Sequence, residues 1–460
     1  MTLAALLLAA APDQLAQIRQ GLTIPLGQRL IGLLGVATML GIAYLMSYDR
    51  KRIPWRLVGT GLLLQFGFGL LVLKTGPGRA FFAFVGDVVT KILGFVDAGA
   101  SFVFGNLIYF TVPVGTPGAS GVVDTAGGMV AQTGAVFAFR VLPTIIFVSS
   151  LMSVLYYMGL MQLLVKGIAW VMQKSLGTSG AETLSASGNI FLGQTEAPLL
   201  IRPFVGKMTP SELITVMVGG FATVAGGVLA AYTAMLQDYF PSIAGHLLAA
   251  SVMNAPAGLL LSKMIYPEDR VPVTRNTLRI EVERTISSVI EAAAEGAGVG
   301  VQLAINVAGM LMAFIALVAM LNFGIGWVGE HAFHYPGLSI QMILGALLRP
   351  LAWVMGVPWA DTTYVGSLIG LKTTLNEFVA YLQFAKDLQT GAAVIQPRSA
   401  LITAYALLGF ANFSSIAIQI GGIGGLAPER RGEIARFGLR AMIAGNLAAF
   451  MSASWAGMLS

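Results

Sequence analysis

The chain has 460 residues, of which 56% are hydrophobic and only 10% charged, whereas soluble proteins carry roughly a quarter of their residues as Asp, Glu, Lys or Arg. Water is therefore not its main solvent, and the length is read as one membrane domain of several helices rather than two or three globular units. The net charge of +6 is spread over short loops instead of one basic face, which argues against nucleic acid, and the absence of cysteine excludes disulfides, thiolate metal sites and thiol catalysis.

In chain order, the apolar start Met1 to Ala11 has no basic leader and is read as an interfacial helix rather than a cleaved signal. Uncharged stretches long enough to span follow at Leu30 to Tyr48, Leu57 to Leu73, Val141 to Val165, Leu213 to Gln237, Tyr239 to Ser262, Gly296 to Asn322, Ser399 to Pro428 and Ala441 to Ser460. They predict eight crossings. Between them, Arg79 to Phe139, Glu182 to Lys207 and Trp327 to Lys386 carry isolated charges or glycine breaks. These segments are read as interfacial helices and re-entrant hairpins, since non-helical backbone survives at membrane depth only where protein or a polar cavity satisfies it. Lys and Arg concentrate after the first span (Arg50, Lys51, Arg52, Arg56), after the fifth (Lys263, Arg270, Arg275, Arg279, Arg284) and before the last (Arg430, Arg431, Arg436, Arg440). Basic loops face the cytoplasm, so both termini are expected outside.

Two apolar segments are interrupted by carboxylates. In Asn189 to Leu200, Gly193 and Pro198 flank Gln194-Thr195-Glu196, so a continuous helix is not expected and freed backbone groups can face a ligand or ion. The second interruption is Asn376-Glu377, where an ionised Glu at bilayer depth costs about 2.5 kcal/mol or more and so calls for a cavity and a partner. Each break precedes a related tetrapeptide, Gly220-Phe221-Ala222-Thr223 or Gly409-Phe410-Ala411-Asn412, both expected inside spanning helices that run in opposite directions. An inverted pair of hairpin and polar helix points to a binding site near the midplane. Asn412 and Ser415 are placed on one helix face, able to bond hydroxyls, while Asn254, Gln302, Asn306 and Asn446 are read as interhelical glue and Thr223 is open to either role.

Gly118-Ala119-Ser120-Gly121 and Gly177-Thr178-Ser179-Gly180 match the G-x-S-G pattern of intramembrane proteases, but the only histidines, His246, His331 and His334, fall in or beside the outer loops. Gly422 to Ala427 imitates a dinucleotide fingerprint after a membrane helix and is read as a helix end. With no Walker A or H-E-x-x-H sequence, energy comes from an ion gradient or from none.

Gly188-Asn189-Ile190-Phe191, Gln194 to Leu200, Gly220 to Thr223, Asn376 to Tyr381 and Gly409 to Ile418 together resemble the concentrative nucleoside transporter family, in its bacterial form. The resemblance covers the chain from Thr144 onward; the first two spans match in pattern only. It implies an all-α polytopic protein of eight transmembrane helices, two opposed re-entrant hairpins and interfacial helices, assembled as a homotrimer. It further implies a division into N-terminal scaffold (1–140), third span (141–180), first hairpin with transport helices (181–262), interfacial helix and scaffold span (263–345), and second hairpin with transport helices (346–460). By resemblance, Gln194, Thr195 and Glu196 address the nucleobase, and Glu377, Asn412 and Ser415 the ribose, with Gly193 and Phe410 lining the site. Sodium would be held by the side chains of Asn189 and Thr223 and the carbonyls of Leu192 and Val224.

The function expected on this basis is import of nucleosides, uridine and cytidine first and adenosine in a wider reach, across a bacterial cytoplasmic membrane. No enzyme activity and no cofactor is expected, with Na+ as coupling ion and the lipid bilayer as surroundings. A proton-coupled symporter, and further off an intramembrane hydrolase or a cation channel, are the alternatives.

Overall fold

The computed structural model describes residues 26–459 apart from 110, 115, 118–122, 125–129, 133–136, 276–286, 336 and 393–394. The predicted N-terminal helix, Ser120, Arg279 and Arg284 lie outside the described residues. The fold is helical. Helices α1 (Leu26–Leu45), α2 (Trp55–Lys74), α3 (Gly76–Gly94) and α4 (Val96–Phe104) are followed by four strand pieces of two or three residues, Thr111–Pro113 paired antiparallel with Val130–Gln132 and Thr116–Pro117 with Val123–Asp124. Then come α5 (Leu142–Tyr157), α6 (Leu160–Leu176), α7 (Gly180–Gly188), α8 (Arg202–Val205), α9 (Pro210–Ala222), α10 (Gly226–Leu236), α11 (Ile243–Ile265) and α12 (Val289–Phe333). The second half holds α13 (Ile340–Val354), α14 (Thr362–Thr374), α15 (Glu377–Thr390), α16 (Pro397–Leu407), α17 (Phe413–Leu426) and α18 (Arg431–Leu459).

All eight apolar stretches are helical, with three corrections to their continuity. Val141 to Val165 is not one rod: α5 ends before Gly159, whose φ of 79° is left-handed, and α6 starts anew. Leu213 to Gln237 is split into α9 and α10 because Thr223 (φ −122°, ψ 176°) and Ala225 (φ −64°, ψ 146°) are extended. Ser399 to Pro428 is split into α16 and α17, with Leu408 extended and Gly409 at φ 114°. The two related tetrapeptides therefore sit at helix breaks, not inside continuous helices.

Burial sorts the helices into centre and wall. The most apolar stretches of Pro210–Leu236, Ile243–Ile265 and Pro428–Leu459 are 89%, 83% and 89% buried, against 22% for Ala138–Tyr157 and 17% for Val289–Phe333. Apolar helices buried all round form the core, and those exposed along one side face lipid or another chain. Thus α9, α11 and α18 pack on one another at the centre, and α12 lies along α5 as the outer wall. With 45 residues, α12 is about 68 Å long, twice what the hydrocarbon core of about 30 Å requires.

The entry to the first half is pinned by two capping boxes, Ser179 with Glu182 and Thr209 with Glu212, which start α7 and α9. They interlock, since Ser179 Oγ donates to Glu212 Oε1 at 2.5 Å, and the buried Lys263 of α11 joins Glu182 (2.7 Å), Glu268 (3.3 Å) and Ser211 Oγ (2.9 Å). A buried charge set of this kind is tolerable because each member has charged or hydrogen-bonding partners.

Candidate functional site

The two helix breaks meet. Phe410 N donates to the carbonyl of Thr223 at 3.2 Å, so the break of one repeat is bonded to the break of the other. Glycine makes the approach possible: a Cβ on Gly409 would lie 2.7 Å from Phe221 O and 2.9 Å from Ala222 O. Each break also exposes a carbonyl that a neighbouring span satisfies. Asn254 of α11 donates Nδ2 to Ala222 O at 2.7 Å, and Asn446 of α18 donates Nδ2 to Ala411 O at 2.9 Å. Ala222 and Ala411 hold the same place in the related tetrapeptides, so residues read as glue are matched caps of the repeat. Gln302 and Asn306 differ: they bond each other at 3.1 Å on the exposed side of α12 and tie no helices together among the described residues.

Glu377 opens α15 directly after its cap, Asn376, whose Oδ1 accepts from Val379 N at 2.9 Å. A helix N-terminus favours a carboxylate. Glu377 is 4% exposed and its two oxygens are held by both repeats: Oε1 accepts from Tyr232 OH at 3.0 Å and Oε2 from Asn412 Nδ2 at 2.8 Å. Tyr232 belongs to α10, and its ring stacks on Tyr381 at 4.2 Å. Five residues before Glu377, the buried Lys372 donates to Ala406 O (2.9 Å) and Leu408 O (3.3 Å), closing the C-terminus of α16.

Asn412 is not mid-helix as expected but the N-cap of α17, its Oδ1 accepting from Ser415 N at 2.9 Å and Ser414 Oγ at 2.7 Å. Ser415 Oγ accepts from Gln194 Nε2 at 3.1 Å, which brings the first polar break against α17. Gln194 Oε1 in turn accepts from Gln419 Nε2 at 3.1 Å. Gln194, Ser415, Asn412 and Glu377 thus form one buried polar group drawn from both halves. Thr195 packs beside it against Gly422 of α17, the first residue of the false dinucleotide motif, and Phe410, half-buried, adjoins it through the break.

Glu196 stands apart. It is exposed, its Oε2 accepts from Gly193 N at 3.0 Å, and it lines a cavity of about 890 Å³ together with Tyr156, Lys166, Phe191, Leu192 and Arg202. The structure brings Gln194, Glu377, Asn412 and Ser415 together and leaves Glu196 on the cavity side of the same turn.

Asn189 is 0% exposed and neither its Oδ1 nor its Nδ2 has a hydrogen-bond partner, a costly arrangement for a buried amide. It rests against Gly219, where an added Cβ would come within 3.1 Å of Nδ2. The carbonyl of Gly219 is taken by Thr223 Oγ1 at 2.9 Å, so the hydroxyl spends its proton there and keeps its lone pairs free. Phe191 O accepts from Gly226 N at 2.8 Å, holding the Leu192 turn against the Thr223-Val224 break. Hard oxygen donors on unwound backbone, with one orphaned amide, fit a small monovalent cation.

Of the groups the hydrolase alternative would use, Ser179 Oγ donates to Glu212 Oε1, His246 Nδ1 in the first turns of α11 lies 3.3 Å from Tyr405 OH, and Ser120 lies outside the described residues. Two participants carried a sequence signal that went unread. Tyr232 is the only hydroxyl-bearing aromatic in α9 and α10, and Gln419 falls one turn after Ser415 in an apolar run.

Residues 246–457 match the family described as Na+ dependent nucleoside transporter C-terminus, residues 34–107 the corresponding N-terminus, and residues 138–239 the gate described as nucleoside recognition. The N-terminal match brings in the first two spans, whose own residues carry no legible motif. An uncharacterized transporter of Haemophilus influenzae is 43% identical over 93% of this chain and 97% of its own length. Sodium/nucleoside cotransporter 1 of Mus musculus is 41% identical over 94% of this chain, which spans 64% of that longer protein. Among solved structures, CNTnw in an inward-facing substrate-bound state is 44% identical with a TM-score of 0.81, covering 94% of this chain and 97% of that one. A double variant of CNTnw in an outward-facing state has a TM-score of 0.85 at 44% identity, covering 95% and 99%. The chain belongs to the family of Na+-dependent nucleoside transporters, membrane carriers rather than enzymes.

Proposed function

We propose that the chain is a sodium-driven nucleoside symporter importing uridine, cytidine and adenosine across a bacterial cytoplasmic membrane. The observation that carries this reading is the clasp on Glu377, a buried carboxylate held by Tyr232 from one repeat and Asn412 from the other. A carboxylate accepts bonds from the vicinal hydroxyls of a ribose, Asn412 and Ser415 both give and accept, and Gln194 and Thr195 supply the edge of a base. Glu196, on the cavity side, is assigned to substrate passing from the cavity to the buried group.

Sodium is a co-substrate in this scheme, taken by Asn189 Oδ1, Thr223 Oγ1 and the carbonyls of Leu192 and Val224. The orphaned amide of Asn189 favours sodium over a proton as the coupling ion. Coupling follows from shared parts: Gln194 is two residues from Leu192, and the Thr223 carbonyl is bonded to Phe410. An ion that orders this turn raises nucleoside affinity, and by linkage the nucleoside raises ion affinity equally. The loaded hairpins and broken helices, 181–262 and 346–460, then move as a unit against the wall formed by α5 and α12, in an elevator-like exchange of access. We place both termini outside, and the long exposed face of α12 at the contact with two further copies in a homotrimer.

Uptake of labelled uridine and adenosine into proteoliposomes, with and without an imposed sodium gradient, tests the reading. Saturable accumulation only with sodium outside is expected. Sodium-independent equilibration overturns the symport, and conductance without saturation by uridine overturns the carrier.

A further inference from the structure

Amide groups of Gln side chains can present a donor or an acceptor to a ligand, and which one Gln194 presents decides what base edge it reads. The neighbouring backbone settles this. Gln419, 0% exposed on α17, has one side-chain atom 3.0 Å from the carbonyl of Met217. A carbonyl only accepts, so that atom is the amide nitrogen. Its second hydrogen goes to Gln194 at 3.1 Å, so the Gln194 atom there is Oε1 and the opposite one is Nε2, which donates to Ser415 Oγ at 3.1 Å. One backbone carbonyl therefore orients two amides in series.

The bonds leave a defined remainder. Nε2 of Gln194 has one hydrogen uncommitted, and Oε1 of Gln419 is buried with no partner. A buried acceptor left unpaired is costly and is normally satisfied by a ligand or water. The pairing is tight because Gly220 lies beneath both side chains, where a Cβ would come within 2.8 Å of Gln194 Cβ and 2.9 Å of Gln419 Nε2.

We propose that Gln419 is a specificity-determining residue: it locks the polarity of Gln194, and the pair offers one N–H and one carbonyl oxygen to a nucleobase edge carrying an adjacent acceptor and donor. Cytosine N3 with its exocyclic amino group, uracil O2 with N3–H, and adenine N1 with its amino group all present such an edge in the same sense around the ring. A base lacking the donor leaves Gln419 Oε1 unpaired. This rests on the reading of Gln194 as a base-binding residue.

The test uses the full chain in proteoliposomes under a sodium gradient, with cytidine and the ribosyl 2-pyrimidinone that lacks only the exocyclic amino group as competitors of labelled uridine. A site built to bond a group rejects the analogue without it, so the wild type is expected to bind the pyrimidinone at least about tenfold more weakly. In Gln419→Met, of similar size but with neither bond, Gln194 is free to turn and the ratio falls below about threefold. Gln419→Glu has at most one O–H donor for two acceptors and loses the discrimination as well, which guards against a folding defect in the first variant. A wild type that treats the two competitors alike, or a ratio unchanged in either folded variant, overturns the proposal. Absence of saturable uridine uptake by the wild type overturns instead the transport reading on which it rests.

Discussion

Gly220→Ala and Gly67→Ala are chemically the same substitution and are expected to have opposite consequences. At Gly220 the new Cβ would stand 2.8 Å from Gln194 Cβ, 2.9 Å from Gln419 Nε2 and 3.2 Å from Gln194 Cα. Carbon atoms rest about 3.5–4.0 Å apart, so the shortfall is about 0.7 Å or more, and the nearest obstacles belong to a turn whose backbone is bonded on both sides. Overpacking of this kind costs about 1–3 kcal/mol, and the gain of about 1 kcal/mol from replacing glycine in a helix does not remove the local clash. The strain is relieved by displacing Gln194 from Ser415 and Gln419, so it appears in substrate recognition. At 1.4 kcal/mol per decade, KM for uridine should rise roughly 5- to 150-fold. At Gly67, in the middle of α2, nothing lies within 4 Å of the added carbon, and the variant should transport normally and unfold slightly higher in detergent. Initial rates of uridine uptake for both variants, with thermal unfolding of each, make the comparison. A Gly220→Ala protein whose KM stays within about twofold of wild type would refute the placement of Gln194 over that glycine.

Glu377→Gln sets an amide N–H against donors from Tyr232 or Asn412, and should lower kcat/KM for uridine by about 100-fold or more, whereas Tyr232→Phe, removing one bond to a charged acceptor, should cost about tenfold. Uptake rates at several uridine concentrations separate the two. Asn189→Leu should raise the sodium concentration for half-maximal uptake at least about tenfold without lowering the unfolding temperature, because an amide that bonds nothing in the sodium-free fold gives way to an apolar group. A variant that unfolds several degrees lower would show that Asn189 serves the fold instead. Asn254→Leu and Asn446→Leu each orphan one break carbonyl and should destabilise the protein alike, by about 1–3 kcal/mol. Unequal losses in a thermal unfolding series would deny that the two asparagines are repeat equivalents.

The outer structure was legible because it follows from the solvent: apolar length gives the spans, and the charge of Glu377 and the Gly193/Pro198 pair give the interruptions. Continuity of the spans was not. Leu213 to Gln237 and Ser399 to Pro428 read as unbroken because hydropathy is blind to φ and ψ, and the breaks rest on the extended conformations of Thr223, Ala225 and Leu408 and on Gly409. The repeat was visible in Gly220 to Thr223 and Gly409 to Asn412, yet its purpose was not, since the purpose is a contact between the two copies. Gln419 and Tyr232 escaped because each lies in a mainly apolar run, and what sets it apart is its partner in space, Met217 O or Glu377.

The breaks also explain why so many polar residues can be held at the centre of an apolar bundle. Interrupting two helices at the same depth frees carbonyls and amides that the bilayer cannot satisfy. Ala222 O is taken by Asn254, Ala411 O by Asn446, Thr223 O by Phe410 N, and Ala406 O and Leu408 O by Lys372. These bonds satisfy the backbone of the breaks, while several buried side-chain atoms beside them have no internal partner, among them both amide atoms of Asn189, Gln419 Oε1 and the Oδ1 atoms of Asn254 and Asn446. Of these, the Asn189 amide and Gln419 Oε1 are the ones that the proposed function assigns to the ion and the base. On that proposal an unloaded carrier is penalised for burying these two groups, and one loaded with both ligands is not. That difference in free energy is what a symporter needs in order to cross with both ligands and to resist crossing with one.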